Sequence, residues 1–192
     1  MHWDKFNAPI LPPLLFKGGD PGIGNSKKIL VYLPFEPFSA VYKVLLEIPG
    51  HDFYVYRPGS EFRSVKNLHL RPTSLKGFQD DLVDCGGVIC NAGFELSSEC
   101  LSLGKRLLVK PLKGQMEQAS NALALEALGY GSVMQTLDAC DISNWLRSEV
   151  PATRMVFPDV ARAVTKWLLM ADFSPQSLSD LSESLWRDVR IH

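Results

Sequence analysis

Residues 90–131 read CNAGFELSSECLSLGKRLLVKPLKGQMEQASNALALEALGYG, and this stretch decides the fold. The short apolar run at 87–90 predicts a buried strand just before it, and the run RLLVK at 106–110 predicts a second strand. Segments with helical spacing, 95–103 and 115–128, follow the two strands. Strands and helices that alternate in this way predict parallel pairing, because each helix must cross the sheet between neighbouring strands.

The same alternation extends from this stretch in both directions. Further strands are predicted at 29–33, 52–56, 67–70 and 131–134. Further helices are predicted at 39–48, 75–84, 141–148, 158–171 and 176–188. The sequence therefore predicts an α/β fold with a parallel sheet and helices on both faces. Ligands of such sheets bind beyond the carboxyl ends of the strands, where the strand order reverses.

The beginning of the chain has a different character. The segment NAPILPP at 7–13 carries three prolines, which favour an extended path. The segment GDPGIGNS at 19–26 is close to the phosphate loop GxxxxGK[ST], but Asn25 replaces the lysine and the loop precedes a strand, so we interpret it as a flexible bridge. Residues 1–26 are predicted to form an interdomain hinge or linker, and 27–172 the main domain.

Composition and charge exclude several classes of protein. The formal net charge of -1 offers no basic surface for nucleic acid. No apolar run reaches the roughly 20 residues that span a bilayer, and the start MHWDK lacks the features of a signal peptide, so we expect a cytoplasmic protein. The four histidines are scattered, so no metal site is expected. Four cysteines are expected to be buried free thiols: Cys85, Cys90, Cys100 and Cys140.

The strongest candidate site lies where strand 87–90 ends and helix 95–103 begins. Free backbone N–H groups and the helix dipole can hold a diphosphate there, and Gly93 lets the backbone approach a ligand closely. Glu95 and Glu99 lie one turn apart on one helix face, where a carboxylate can accept hydrogen bonds from the vicinal hydroxyls of a ribose. Alternatively, the two glutamates only stabilise the helix dipole.

Other polar residues allow two interpretations. Glu117, Gln118 and Asn121 open the next helix, where they reach a hydroxyl-rich ligand or simply face solvent. Asp80 and Asp81 form a pair of adjacent carboxylates, which we interpret as the solvated face of an amphipathic helix and not as a metal site.

Residues 86–131 resemble the donor-binding signature of glycosyltransferases with the two-domain B-type fold. The shared features are a glycine followed by glutamates, the run from glycine through a basic residue and leucine to proline at 104–111, an acidic–glutamine pair, and an asparagine–alanine pair. The chain is most similar to a poorly characterised bacterial and archaeal group with the pattern NAGFE…SE. That group is related to the lipid-II-forming N-acetylglucosaminyltransferase and to the UDP-glycosyltransferases. The resemblance implies a Rossmann-like domain that is the C-terminal, donor-binding half of such a fold.

The resemblance also implies which residues contact the donor. They are Asn91, Gly93, Phe94, Glu95, Glu99, Glu117 and Gln118. Glu99 matches the glutamate that holds the ribose hydroxyls, and the loop 93–95 matches the one whose backbone amides face the diphosphate. The acidic–glutamine pair matches the pair that contacts the transferred sugar. Asn91 stands where plant enzymes often carry a phosphate-contacting histidine, and Phe78 is assigned to the base pocket.

The implied function is transfer of a hexose or N-acetylhexosamine from a UDP-sugar, with neither cofactor nor metal. The general base is expected in a missing N-terminal domain that binds the acceptor, so no catalytic residue is assigned here. That domain, or a second copy of the chain, is the expected partner, and the helix within 173–192 is expected to pack toward it. Peripheral membrane contact stays open. Two alternatives remain: half of a nucleotide-sugar epimerase, or a non-catalytic sugar-nucleotide-binding subunit.

Overall fold

The computed structural model describes residues 1–15 and 24–192 of the chain. Part of the proposed hinge, residues 16–23, lies outside the described residues, and so does most of the GDPGIGNS segment.

In the described parts of the chain, seven strands form one sheet. The strands are Asn25–Tyr32 (β1), Asp52–Arg57 (β2), Arg63–Val65 (β3), Leu68–Pro72 (β4), Cys85–Asn91 (β5), Arg106–Lys110 (β6) and Ser132–Val133 (β7). Their order across the sheet is β3-β4-β2-β1-β5-β6-β7. All pairs are parallel except β3 with β4. Two further strands, Met155–Val156 (β8) and Arg190–Ile191 (β9), pair antiparallel with each other.

Helices connect the strands and cover both faces of the sheet. They are Phe38–Leu46 (α1), Leu75–Asp84 (α2), Phe94–Leu103 (α3), Met116–Ala127 (α4), Ala139–Arg147 (α5), Val160–Met170 (α6) and Pro175–Arg187 (α7). The buried residues form two clusters, one on each face of the sheet. One cluster packs the sheet against α1 and α5, and the other packs it against α2, α3 and α4. The predicted α/β architecture is confirmed: among the described residues, seven of the nine strands form one sheet, and seven helices accompany them.

The three strands that the sequence did not predict, β3, β8 and β9, have two or three residues each. β3 has three residues, and Arg63 and Ser64 in it are exposed, so no apolar pattern marks it. It arises from a hairpin in which Lys66 adopts a left-handed conformation with φ 54°. β8 and β9 have two residues each, and all of them except Met155 are exposed, so no apolar run marks these strands.

The strand order reverses between β1 and β5. β2 and β4 lie on the far side of β1, whereas β6 and β7 lie beyond β5. Tyr32 ends β1, Asn91 ends β5 and Lys110 ends β6, so these three residues line the same edge of the sheet. In open α/β sheets, the crevice at this reversal is where ligands bind.

The N-terminal segment, residues 1–15, has neither helix nor strand, yet it packs against the domain. Trp3 is 1% exposed; its indole Nε1 donates to Ser98 Oγ at 2.8 Å, and its ring stacks on Phe94 at 5.0 Å. The carbonyl oxygen of Ile10 accepts hydrogen bonds from Ser182 and Trp186 of α7. The first residues therefore bridge α3 to the last helix.

Two sequence interpretations about single side chains are wrong. Asp81 does not lie on a solvated face: it accepts hydrogen bonds from Lys28 Nζ at 2.7 Å and from the Tyr56 hydroxyl at 2.6 Å. Helical spacing gave no sign of these partners because they come from β1 and β2. Cys140 is a free thiol as predicted but is exposed, since it lies in the first turn of α5 away from the core. Cys85, Cys90 and Cys100 are buried free thiols.

Candidate functional site

A cavity of about 380 Å³ opens between α2 and α3 at the reversal point of the sheet. It is bounded by the ends of β1 and β2, by the loop before α2, and by the first turns of α3. Its lining residues include Tyr32, Tyr56, Phe78, Glu95, Leu96 and Glu99. The cavity therefore combines one aromatic wall with one wall that carries two carboxylates.

Three aromatic rings form the first wall. Phe78 of α2 lies between Tyr32 and Tyr56 and makes edge-to-face contacts with both, with ring centroids 5.6 Å and 5.1 Å away. The Tyr56 hydroxyl donates to Asp81, and burial followed by this carboxylate raises the pKa of Tyr56. The Lys28 ammonium group forms ion pairs with both Asp81 and Asp84, with its Nζ 2.7 Å from a carboxylate oxygen of each. This network fixes α2 to the sheet and so holds the aromatic wall in place.

Glu95 and Glu99 form the second wall. Glu99 is half-buried, whereas Glu95 is exposed. Burial, and then the negative charge of Glu95, raise the pKa of Glu99. A partly desolvated carboxylate without a cation partner in the described structure is suited to accept hydrogen bonds from hydroxyl groups of a ligand.

The amino terminus of α3 stands beside these carboxylates. Gly93 is its N-cap, and no side chain caps the first turn. Gly93 has φ -74°, and a Cβ built on it meets no described atom within 4 Å, so the packing of the protein does not itself require glycine here. Uncapped N–H groups at a helix start attract anions. Phe94 follows, but its ring packs under Trp3, so only its backbone is available to a ligand.

The remaining predicted residues lie outside the cavity walls. Gln118 is buried, and its side-chain oxygen accepts from the Leu112 amide at 3.0 Å; Glu117 is exposed at the start of α4. Asn91 donates to the Lys110 carbonyl at 3.0 Å, and its Oδ1 is buried with no partner in the described structure. Gln118 and Asn91 thus order the loops at the strand ends, a role that the sequence pattern did not indicate.

Sequence reasoning missed four side chains at this edge of the sheet. Tyr32 and Tyr56 complete the aromatic wall, and both are the last or next-to-last residues of predicted strands, a signal that could have been used. Glu36 and Lys110 form an ion pair at 2.6 Å. No sequence pattern indicates this ion pair, because 74 residues separate the two positions.

A family model described as glycosyl transferase family 1 matches residues 7–151, which include the cavity, both carboxylates and the start of α3. The chain belongs to this glycosyltransferase family. The match confirms the predicted resemblance at the level of the family. No curated protein matches the chain.

Solved structures show the fold of this glycosyltransferase domain. The glycotransferase of kitacinnamycin superposes with a TM-score of 0.51 at 17% identity, covering 95% of this chain and 45% of that one. The glycosyltransferase SsfS6 of Streptomyces sp. SF2575, complexed with thymidine diphosphate, gives a TM-score of 0.51 at 14% identity, covering 82% of this chain and 37% of that one. The predicted half of a B-type fold is confirmed, and the chain spans less than half the length of these transferases. None of the described helices is long and apolar enough to cross a membrane.

Proposed function

We propose that this glycosyltransferase domain binds a nucleoside diphosphate sugar in the cavity between α2 and α3. The observation that carries the proposal is the wall formed by Glu95 and Glu99 next to the uncapped start of α3. Carboxylates suit the hydroxyls of a ribose, and the helix amides suit a diphosphate. The Phe78 wall offers an aromatic surface to a nucleobase.

The donor runs along the crevice in this arrangement. Its base packs toward Phe78, its ribose hydroxyls bind Glu99, and its diphosphate lies over the amides of residues 93–95. The sugar then points toward the start of α4, where Glu117 is exposed and Gln118 is buried. The proposed transfer includes no metal, and the helix start supplies part of the favourable potential for the leaving diphosphate.

We further propose that the donor is a UDP-sugar and the transferred group a hexose or N-acetylhexosamine. A carboxylate that accepts two hydrogen bonds from vicinal hydroxyls favours a ribonucleotide. Thymidine diphosphate, the ligand of SsfS6, offers one hydroxyl fewer on its sugar. Acceptor binding and the general base belong to a second domain, which fits a chain that spans 45% of a related transferase.

Calorimetric titration of the chain with UDP, thymidine diphosphate and ATP, each with Mg²⁺ and with EDTA, tests the proposal. We expect UDP to bind with the same affinity in both buffers, and more tightly than the other two nucleotides. Loss of UDP binding on chelation would require a metal site that the proposal omits. Binding of none of the nucleotides would remove the donor-binding role altogether.

A further inference from the structure

The ion pair between Lys110 and Glu36 spans the crevice. Lys110 is the last residue of β6, and Glu36 lies in the loop between β1 and α1. β5 lies between β1 and β6 in the sheet. A contact of 2.6 Å between these two side chains therefore passes over the carboxyl end of β5. Both side chains are largely covered, with 13% and 14% exposure.

The carboxyl end of β5 leads through Gly93 directly into α3. Side chains alternate along β6, so Lys110 lies on the same face as Leu108, which packs with the α1 side of the core. Lys110 is the register partner of Asn91, the last residue of β5, and Gly93 caps α3 two residues later. A diphosphate bound to the amides of α3 would therefore stand at the same strand end that the Glu36–Lys110 pair crosses.

A diphosphate bound in the crevice needs a cation nearby. The cavity wall carries the carboxylates of Glu95 and Glu99 and includes no Lys or Arg among the described residues. A helix amino terminus supplies only about half an elementary charge. A diphosphate is more negative than that and repels the two glutamates. Charge-assisted hydrogen bonds from an ammonium group are the usual compensation.

We propose that Lys110 binds the donor diphosphate and that Glu36 competes for the same ammonium group. In the free protein Lys110 is paired with Glu36; when donor binds, the ammonium exchanges the carboxylate for phosphate oxygens. Lys110 is then a donor-binding residue, and Glu36 lowers the affinity for ligands that carry the diphosphate. This inference rests on the proposed function, because it requires a nucleoside diphosphate in the crevice.

A purely structural ion pair makes a different prediction. Removing either partner of a covered pair destabilises the fold, because the other charge is left without compensation. Removing a purely structural pair should change the affinities for UDP and for uridine to the same extent. The two interpretations therefore separate in the ratio of UDP affinity to uridine affinity, which reports the diphosphate alone.

The test compares Glu36→Gln with the double variant Glu36→Gln/Lys110→Met, so that no carboxylate is left unpaired. Glu36→Gln should bind UDP about 3- to 10-fold more tightly, with uridine unchanged. The double variant should bind UDP roughly 10-fold or more weakly than Glu36→Gln, again with uridine unchanged. Lys113→Met is the matched control, because Lys113 is exposed in the loop that follows β6 and should leave the ratio unchanged.

An unchanged ratio of UDP to uridine affinity in both variants would overturn the inference and leave a structural pair. If the double variant does not fold, the change in UDP affinity caused by Glu36→Gln alone tests the inference. Unchanged or weaker UDP binding by this variant overturns the role of Lys110. Failure of the unmodified chain to bind either ligand contradicts the proposed function instead. The two failures are therefore distinguishable.

Discussion

Glu99 is the side chain on which most of the donor-binding proposal depends. Its carboxylate is half-buried and repelled by Glu95, and both effects raise its pKa. Such a group binds hydrogen-bond donors more strongly than a fully hydrated one, because less water competes for it. The position therefore favours a ligand with hydroxyl groups over one with phosphates.

Replacement of Glu99 by alanine should lower UDP affinity by roughly 10- to 150-fold, equivalent to about 1.5–3 kcal/mol. The reason is the loss of two hydrogen bonds from the ribose to a charged acceptor. Isothermal titration measures the affinity, and the melting temperature should change little because α3 keeps its buried contacts. Glu126→Ala on the exposed side of α4 is the control. Equal UDP affinity in the wild type and Glu99→Ala would leave Glu99 as a partner of the helix dipole only.

The raised pKa of Glu99 gives the protein a pH dependence with a definite sign. Because the native state holds this proton more tightly than the unfolded state, Glu99 costs stability as pH rises from its ordinary pKa of about 4.3 through its raised value. Glu99→Gln should therefore be more stable than the wild type at neutral pH, and the difference should vanish in acid. Thermal melts across this pH range measure it. A difference that grows toward acid pH would contradict the assigned cause.

UDP affinity should show the opposite dependence. The ribose hydroxyls donate to the ionised carboxylate, so affinity should fall as the pH drops through the raised pKa of Glu99. Titrations of UDP with the wild type and with Glu99→Gln over the same pH range test this. The variant should bind weakly at every pH without the acid-dependent loss, and a parallel loss in both proteins would point to a different titrating group.

At the scale of elements, the N-terminal segment and α3 form one packed unit. Trp3 donates to Ser98, and the Ser98 hydroxyl donates in turn to the Phe94 carbonyl at 2.7 Å. Trp3 also stacks on the Phe94 ring. Phe94, whose amide belongs to the proposed diphosphate site, is therefore held by the segment predicted to be a hinge.

Trp3→Ala should destabilise the chain by about 3–5 kcal/mol, because it removes a fully buried ring and its hydrogen bond. Denaturant unfolding followed by circular dichroism measures the loss. The matched control is Phe6→Ala in the same segment, whose ring is 49% exposed and should cost much less. If both variants lose the same small amount, the packing of residues 1–15 contributes nothing to the stability of α3.

The sequence predicted the elements of this fold better than their contacts. α2 and β6 were predicted at their observed bounds, because α2 has helical apolar spacing and β6 is an uninterrupted apolar run between two basic residues. The cavity could be predicted in part: Phe78, Glu95 and Glu99 do line it together. The partners of Asp81 and of Glu36 could not, because they come from strands far away in the chain. Helical or strand periodicity reports which face is buried and not which polar groups meet there.

At the scale of the whole molecule, apolar side chains remain uncovered at the end of α6. Leu168, Leu169, Met170 and Phe173 are between 52% and 82% exposed. Contiguous apolar surface of this kind normally marks an interaction site. Together with the partial coverage of related transferases, it supports a second domain or a second copy as the partner. In α7, Leu185 is buried and Trp186 donates to the Ile10 carbonyl, so these two side chains pack within the domain.

The chain by itself should transfer no sugar, because the acceptor and general base are proposed to come from the partner. Incubation with radiolabelled UDP-sugars and lipid or glycan acceptors should give no product, whereas UDP binding persists. Fusion to the first half of a related transferase should create activity. Sugar transfer by the isolated 192-residue chain would contradict the proposal that acceptor binding and the general base belong to a partner.

The hydrogen bonds to the Ile10 carbonyl also set an order of events on the ribosome. Trp3 can meet Ser98 once the 95 positions between them have been translated, but Ile10 waits for Ser182 and Trp186, 172 and 176 positions later. The central strands of the sheet can therefore pair while the residues around Ile10 still lack their final neighbours. α7 therefore completes the packing of a segment that is translated long before it, so premature termination within α7 would leave Ile10 without its partners in that helix.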